Sequence, residues 1–280
     1  MALYHRPTEL DEALDVLAAG GPVVLAGGTD FYPARVGPGV AEDVLDITGI
    51  GGLRGIRDLG QALEIGALTT WTDIIEAERP PWLDGLAQAA REVGGVQIQN
   101  TGTVGGNLCN ASPAADGIVA LLALDAEVRL VSAAGERRLP LAEFVTGNRR
   151  TARRPDELAS AILIPKPRHD ARAVFLKLGA REYLVISIVM VAAVLERGAD
   201  GRVAAARIAV GACSPVARRL ARLEAALVGE AVSPALGDLV TARHLEGLDP
   251  IDDVRGTAGY RDDAALTLTA RALRHLGGAW

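Results

Sequence analysis

Two stretches of this sequence combine glycines with hydroxyl and carboxylate residues in a way that suits anion binding. The first is Val24-Leu25-Ala26-Gly27-Gly28-Thr29-Asp30-Phe31. An apolar run ending in two glycines presents successive backbone N–H groups, and the missing side chains let phosphate oxygens approach them. A helix start just beyond would favour negative charge. Taken alone, Gly-Gly-Thr-Asp is more simply a turn with a cap. The second stretch runs from Thr101 to Asp116 and holds Thr103, Gly105, Gly106, Asn107 and Ser112. It predicts a second set of donors. Asp116, at the head of the next helix, could accept from ribose hydroxyls or an adenine amine; equally, it is an acid favoured in a first turn by the helix dipole. Neither stretch has G-x-G-x-x-G spacing and no G-x-x-x-x-G-K-[ST] is present, which argues against a Rossmann site and a P-loop. No acid–base dyad or nucleophilic triad is visible. Cys109 and Cys213 form no C-x-x-C pair, Cys109 reads as a small packing residue, and His5, His169, His244 and His275 lack metal spacing.

The elements around these stretches follow from periodicity and caps. Thr8 is a candidate cap for a helix with Leu10, Ala13, Leu14 and Leu17 on one face. Val23–Ala26 and Asp43–Ile47 read as strands, and Leu53–Arg57 with Ala62–Gly66 as a hairpin. Helices are predicted to start at Thr70 and Asp84. Gly94 to Asn110 is too poor in periodicity for a regular element. A buried helix over Ala114–Leu124, a hairpin around Gly135 and a strand over Asp156–Ile164 come next, ending at Pro165-Lys166-Pro167. Val174–Leu178, Ile188–Leu195 and Val203–Gly211 read as three strands. Ser214-Pro215 would open a helix with Val216, Leu220, Leu223 and Leu227 in register, and a last helix spans about Asp262 to Leu276. Strands followed by helices predict an α+β module.

Composition bounds the function. The chain has 280 residues, 49% hydrophobic, enough for packed cores. A net charge of -6 and 4% aromatic residues argue against a protein that holds nucleic acid by its phosphates or stacks bases. Leu184 to Leu195 is the longest strongly apolar stretch and is too short to span a bilayer. The N-terminal residues show no secretory pattern, so a cytoplasmic protein is expected.

Together, A-G-G-T-D (Ala26–Asp30) and T-V-G-G-N-L-C-N-A-S-P-A-A-D (Thr103–Asp116) resemble the two FAD-diphosphate loops of the flavoprotein medium subunit of molybdenum hydroxylases, the carbon monoxide dehydrogenase and xanthine dehydrogenase type. The likeness continues through Glu157–Pro165, Phe175–Arg181, Arg207–Pro215 and Val254–Arg261, in order over essentially the whole chain. It implies a two-lobed FAD-binding domain of the PCMH/vanillyl-alcohol-oxidase type, followed by a C-terminal module of three antiparallel strands and a helix bundle. The expected divisions are 1–58, 59–170 and 171–280. Val24, Leu25, Ala26, Gly27, Gly28, Thr29, Asp30 and Phe31 would wrap the FAD diphosphate. Thr103, Gly105, Gly106, Asn107 and Ser112 would close on it from the second loop. Asp116 would meet the adenosine end, and Lys177 would approach the isoalloxazine ring. Val93 would cover one flavin face, with Ile186 or Tyr183 on the other.

The resemblance implies an electron-transfer subunit. A large partner subunit would hold the molybdopterin cofactor, and a small iron–sulfur subunit would pass electrons through two 2Fe–2S clusters to the FAD here, within a heterotrimer or its dimer. The chain lacks the four-cysteine insertion of aryl-CoA reductases, so no extra cluster is expected, and no histidine in either loop could attach a flavin. An autonomous flavin oxidase or reductase and a flavin-free scaffold are the competing readings.

Overall fold

The computed structural model describes residues 2–35, 40–182 and 184–280. Tyr183 lies outside the described residues. The N-terminal part is built on strands β1 (Tyr4–His5), β2 (Val23–Leu25) and β3 (Val44–Asp46), parallel and ordered β1-β3-β2. Helix α1 (Leu10–Ala19) buries Ala13, Leu14 and Leu17 against Leu45, Ile47 and Leu53, as its period requires. Its cap residue is Glu9, without a side-chain bond, and not Thr8. The Thr8 methyl lies toward Gly49, so the cap is displaced by one residue.

The middle of the chain forms a five-stranded antiparallel sheet with helices on one side. Its elements are β4 (Ile56–Asp58), β5 (Ala62–Gly66), α2 (Trp71–Glu76), α3 (Asp84–Glu92), α4 (Val96–Thr101), α5 (Val104–Asn110), α6 (Asp116–Ala123), β6 (Glu127–Ser132), β7 (Gly135–Pro140), α7 (Leu141–Phe144), β8 (Val145–Gly147), β9 (Arg150–Thr151) and β10 (Leu158–Pro165). The sheet order is β4-β5-β10-β6-β7, with β8 and β9 paired separately. Thr70 and Asp73 cap α2 reciprocally, Thr70 Oγ1 accepting from Asp73 N at 3.2 Å and Asp73 Oδ2 from Thr70 N at 2.9 Å. The segment expected to be irregular, Gly94 to Asn110, instead contains α4 and α5. Its helices escape periodicity because α4 buries no residue and α5 carries two adjacent glycines; a cap at Thr103 and bonds to a neighbouring segment set α5 instead.

The C-terminal module holds β11 (Asp170–Leu178), β12 (Val189–Arg197), β13 (Val203–Gly211) and the short β14 (Arg218–Arg219), antiparallel in that order, then α8 (Ala221–Leu227) and α9 (Ala258–Gly277). Strand β12 is apolar from Val189 to Leu195 because both its faces are covered there. Val189, Val191, Ala193 and Leu195 pack in one core with Leu268, Ala272 and Leu273 of α9. Met190, Ala192 and Val194 belong to a second core with α6, every residue of which is buried. This shared core joins the module to the middle sheet.

The helix expected at Ser214-Pro215 begins only at Ala221. Ser214 Oγ accepts from Asp249 N at 3.0 Å and is not available as a cap, while Arg218 and Arg219 pair with Val210 and Ala209. Leu220, Leu223 and Leu227 are still buried together. The expected bundle comprises α8, α9 and two 3-10 turns over Pro234–Leu239 and Ala242–Leu245. Helix α9 starts at Ala258, four positions before the expected Asp262, because Thr257 caps it through Tyr260 N.

At the head of α9, Arg261 is buried and donates to the carbonyls of Ile188 and Ala212 and to Asp253 Oδ1, the last at 2.7 Å. The Arg255 backbone N–H and, against some burial, the Arg261 guanidinium hold the Asp253 carboxyl at about 2, below its ordinary 3.8. A lowered carboxyl pKa adds stability above the unfolded value that is lost as pH falls through the folded one. Asp253→Asn is therefore expected to be less stable than the natural chain at neutral pH. In chemical denaturation the gap should close between pH of about 4 and about 2.

Candidate functional site

The two glycine stretches meet. Gly27 lies so close to the second stretch that a Cβ there would overlap the Thr101 carbonyl and come within 3.0 Å of Gly102 Cα. Gly28 has φ +74, a left-handed conformation that glycine adopts without strain. Asn110 Nδ2 donates to Asp30 Oδ2 at 3.1 Å, closing the contact from the other side.

Between the stretches lies a cavity of ≈ 540 Å³, a size typical of small-molecule sites. Val24, Ala26, Gly27, Gly28, Thr29, Asp30 and Phe31 line it, as do Val93, Thr103, Gly105, Gly106 and Asn107. Five expected residues do not. Leu25 is buried in the first lobe, its side chain alternating away from the cavity. Ser112 turns inward to its own loop, its Oγ accepting from Ala114 N at 3.3 Å. Ile186 is 52% exposed and stands off the cavity wall. Asp116 and Lys177 lie behind the wall and are described below.

The donors are distributed unequally. Among the described residues, the backbone N–H groups of Gly27, Gly28, Thr29, Asp30 and Phe31 donate to no protein acceptor. The second stretch has already used its own: Val104 N donates to Thr69 O and Gly105 N to Ala67 O, each at 2.9 Å, and Gly106 N to Thr103 Oγ1 at 3.1 Å. The expectation that the second stretch supplies a second set of donors is thus corrected for its backbone at Val104, Gly105 and Gly106. The first turn offers free amides, whereas the second contributes shape and side chains. Gly105 is a glycine because a Cβ would come within 2.6 Å of the Ala67 Cβ. Among the described residues Asn107 Oδ1 is buried without a partner, a polar atom left for a ligand. Thr103→Val removes the α5 cap and is expected to lower stability by about 1 kcal/mol in thermal or denaturant unfolding.

Sequence reasoning missed the charge of this cavity. Among the described residues, Arg35, Arg149 and Arg153 line it against a single carboxylate, Asp30. That excess of cations in an acidic chain suits a diphosphate. Arg149 Nη1 donates to Asn110 Oδ1 at 2.5 Å, so one amide links the two glycine stretches to the turn between β8 and β9. No local pattern marks Arg149 or Arg153, because that hairpin reaches the cavity only through the tertiary fold. Cys109 is exposed and lines the cavity, so it is not the packing residue expected. A loop next to a ligand site leaves its small residues uncovered in the protein alone.

Asp116 and Lys177 were assigned to opposite ends of a dinucleotide, yet their Oδ2 and Nζ lie 3.0 Å apart. Both assignments cannot hold. Lys177 Nζ also donates to the Glu92 carbonyl at 3.1 Å, closing the end of α3 directly beside Val93. Ser187 Oγ donates to Asp116 Oδ1 at 2.7 Å. The lysine is thus a neutralised cation and not a free one. Burial pushes the Asp116 carboxyl up, against Lys177 and Ser187, which both favour the carboxylate.

Two lobes around a cationic, amide-lined cavity define a protein built to bind a nucleotide diphosphate. Residues 1–167 match the FAD binding domain in molybdopterin dehydrogenase, and residues 175–276 match the CO dehydrogenase flavoprotein C-terminal domain. The chain belongs to this family of FAD-binding oxidoreductase subunits. It is similar to the 6-hydroxypseudooxynicotine dehydrogenase complex subunit alpha of Paenarthrobacter nicotinovorans, 32% identical over 278 residues, 96% of this chain and 92% of that one. The carbon monoxide dehydrogenase medium chain of Hydrogenophaga pseudoflava is 28% identical over 99% of this chain and 96% of its own length. A solved structure of reconstituted CO dehydrogenase from Oligotropha carboxidovorans superposes with a TM-score of 0.90 at 28% identity, over 99% of this chain and 98% of that one. The expected fold class and the expected cofactor, FAD, are both supported by these matches. Such relatives are subunits of larger complexes. Among the described residues no helix is long and apolar enough to cross a membrane.

Proposed function

We propose that the cavity between the glycine turns holds FAD and that the chain serves as the electron-transfer subunit of a molybdenum-containing hydroxylase in the cytoplasm. The observation that carries this reading is the row of undonated amides from Gly27 to Phe31, facing a cavity lined by Arg149 and Arg153. The amides and guanidinium groups would hold the diphosphate, and Asn107 Oδ1 would accept from a ligand donor. Because Asp116, Ser187 and Lys177 cluster behind Val93, they belong together at the flavin-ring end; the adenosine end then falls to Val24, Ile47, Leu158 and Ala159. In this arrangement Asp116 no longer serves adenosine.

FAD, when bound, supplies exchange between one-electron carriers and a two-electron acceptor. The chain contributes placement, a shielded cavity and the charge balance set by Lys177 with its two carboxylate neighbours, Asp116 at 3.0 Å and Glu92 at 3.8 Å. A small subunit with two 2Fe–2S clusters and a large molybdopterin subunit complete the heterotrimer, or its dimer, in this reading. The lobes are proposed to span 1–58 and 59–170, and the module 171–280. Purification of the chain with added FAD tests the reading by flavin absorbance and stoichiometry. One FAD per chain is expected, and a chain that stays colourless at saturating FAD overturns it.

A further inference from the structure

We propose that Arg261 is a positioning residue for the flavin-ring end of the site, acting from the C-terminal module through Ser187. The proposal rests on the reading of the cavity as the FAD site. Arg261 is 2% exposed and sits outside the cavity, at the start of α9. Its guanidinium ties together three backbone or side-chain acceptors that are distant in sequence: the Ile188 carbonyl, the Ala212 carbonyl at 3.1 Å and Asp253 Oδ1 at 2.7 Å.

Two of these acceptors lead into the site. Ile188 follows Ser187, whose hydroxyl donates to Asp116 Oδ1 at 2.7 Å; the other Asp116 oxygen meets Lys177 at 3.0 Å. Ala212 has φ 60, a strained conformation for a residue with a Cβ, and its N–H donates to Pro113 O at 3.1 Å in the second glycine stretch. A planar guanidinium can grip both carbonyls and the carboxylate at once, which a lysine matches only in part. Arg261 therefore fixes where Ser187 sits against Asp116 and holds the far end of the second stretch. Loss of the Ser187 bond leaves Asp116 a poorer carboxylate and Lys177 a less compensated cation, so reduced flavin is favoured.

The test compares Arg261→Gln, Ser187→Ala, their double variant and Arg261→Lys in the FAD-loaded chain, reading FAD affinity and flavin midpoint potential. Arg261→Gln and Ser187→Ala are expected to shift the reduced-to-oxidised ratio at fixed potential by about three- to tenfold, in the same direction. Their effects should not add in the double variant, since both act through one hydrogen bond. Arg261→Lys should restore part of the shift. Should Arg261→Gln fail to fold, Asp253→Asn loosens the same guanidinium from its solvent side and should shift the potential in the same sense. Unchanged potentials, or fully additive ones, overturn the proposal while leaving FAD binding intact. A natural chain that takes up no FAD instead overturns the reading of the cavity.

Discussion

Gly27→Val is expected to give a folded chain that purifies without FAD. A Cβ at this position would overlap the Thr101 carbonyl and crowd Gly102 Cα, and both are backbone atoms that cannot rotate aside. The first turn must then withdraw from the second, and the overpacking costs about 1–3 kcal/mol of stability. Withdrawal also moves the Gly27–Phe31 amides away from Arg149 and Arg153. Losing even two charge-assisted hydrogen bonds corresponds to at least about a 100-fold weaker complex. Flavin fluorescence titration gives the affinity, and far-UV circular dichroism separates loss of binding from loss of fold. Gly51→Ala is the control, because a Cβ there meets nothing within 4 Å. Wild-type affinity in Gly27→Val would show that contact between the turns is irrelevant to binding.

The second large effect belongs to the buried ion pair. Lys177→Met strands the Asp116 carboxylate among Ser187, Glu92 and apolar surroundings, and breaking such a pair costs about 3–5 kcal/mol. The sign with pH is defined. Burial already raises the Asp116 pKa, and removing Lys177 raises it further. A raised carboxyl pKa means that the folded chain holds a proton which the unfolded chain releases. The variant should therefore lose stability as pH climbs above the unfolded value of about 4. Adding Asp116→Leu to Lys177→Met should recover much of the loss, because no charge is then left unpaired. Urea denaturation between pH 4 and 8 checks both statements, and a double variant no more stable than Lys177→Met would refute the account of the pair.

The reach of the sequence differed between its parts for physical reasons. Strands β12 and β13 were legible because they are long and mostly apolar, β11 only over its apolar end Val174–Leu178 and not over Asp170–Ala173, and α1 because Leu10, Ala13, Leu14 and Leu17 keep a helical period. Helix α5 was not, since its Val-Gly-Gly-Asn start is held by the Thr103 cap and by carbonyls of Ala67 and Thr69, partners invisible in a local window. Ser214 misled in the opposite way: it has the residue types of a cap, but its hydroxyl is taken by Asp249 N. The glycine stretches pointed to the cavity, while their division of labour did not show. Whether an amide is free depends on which distant carbonyl comes near it. Arg35, Arg149 and Arg153 carry no motif, and the pairing of Asp116 with Lys177 bridges two parts of the chain that the packing of α3 and α6 on β11 and β12 brings together.

Strand β10 lies between β5 and β6, pairing Ile162 with Ile65 on one side and with Val128 on the other. On the ribosome β5 and β6 are both made before the strand that separates them, β5 by a wait on the order of ten seconds and β6 by only a few seconds at ordinary elongation rates. Once β6 is made and until β10 arrives, the nascent chain carries two open sheet edges, the kind of surface that invites aggregation. Leu158 and Ala159, which open β10, also form part of the cavity wall. That part of the wall, and with it the complete cavity, thus forms only once this strand has inserted between β5 and β6.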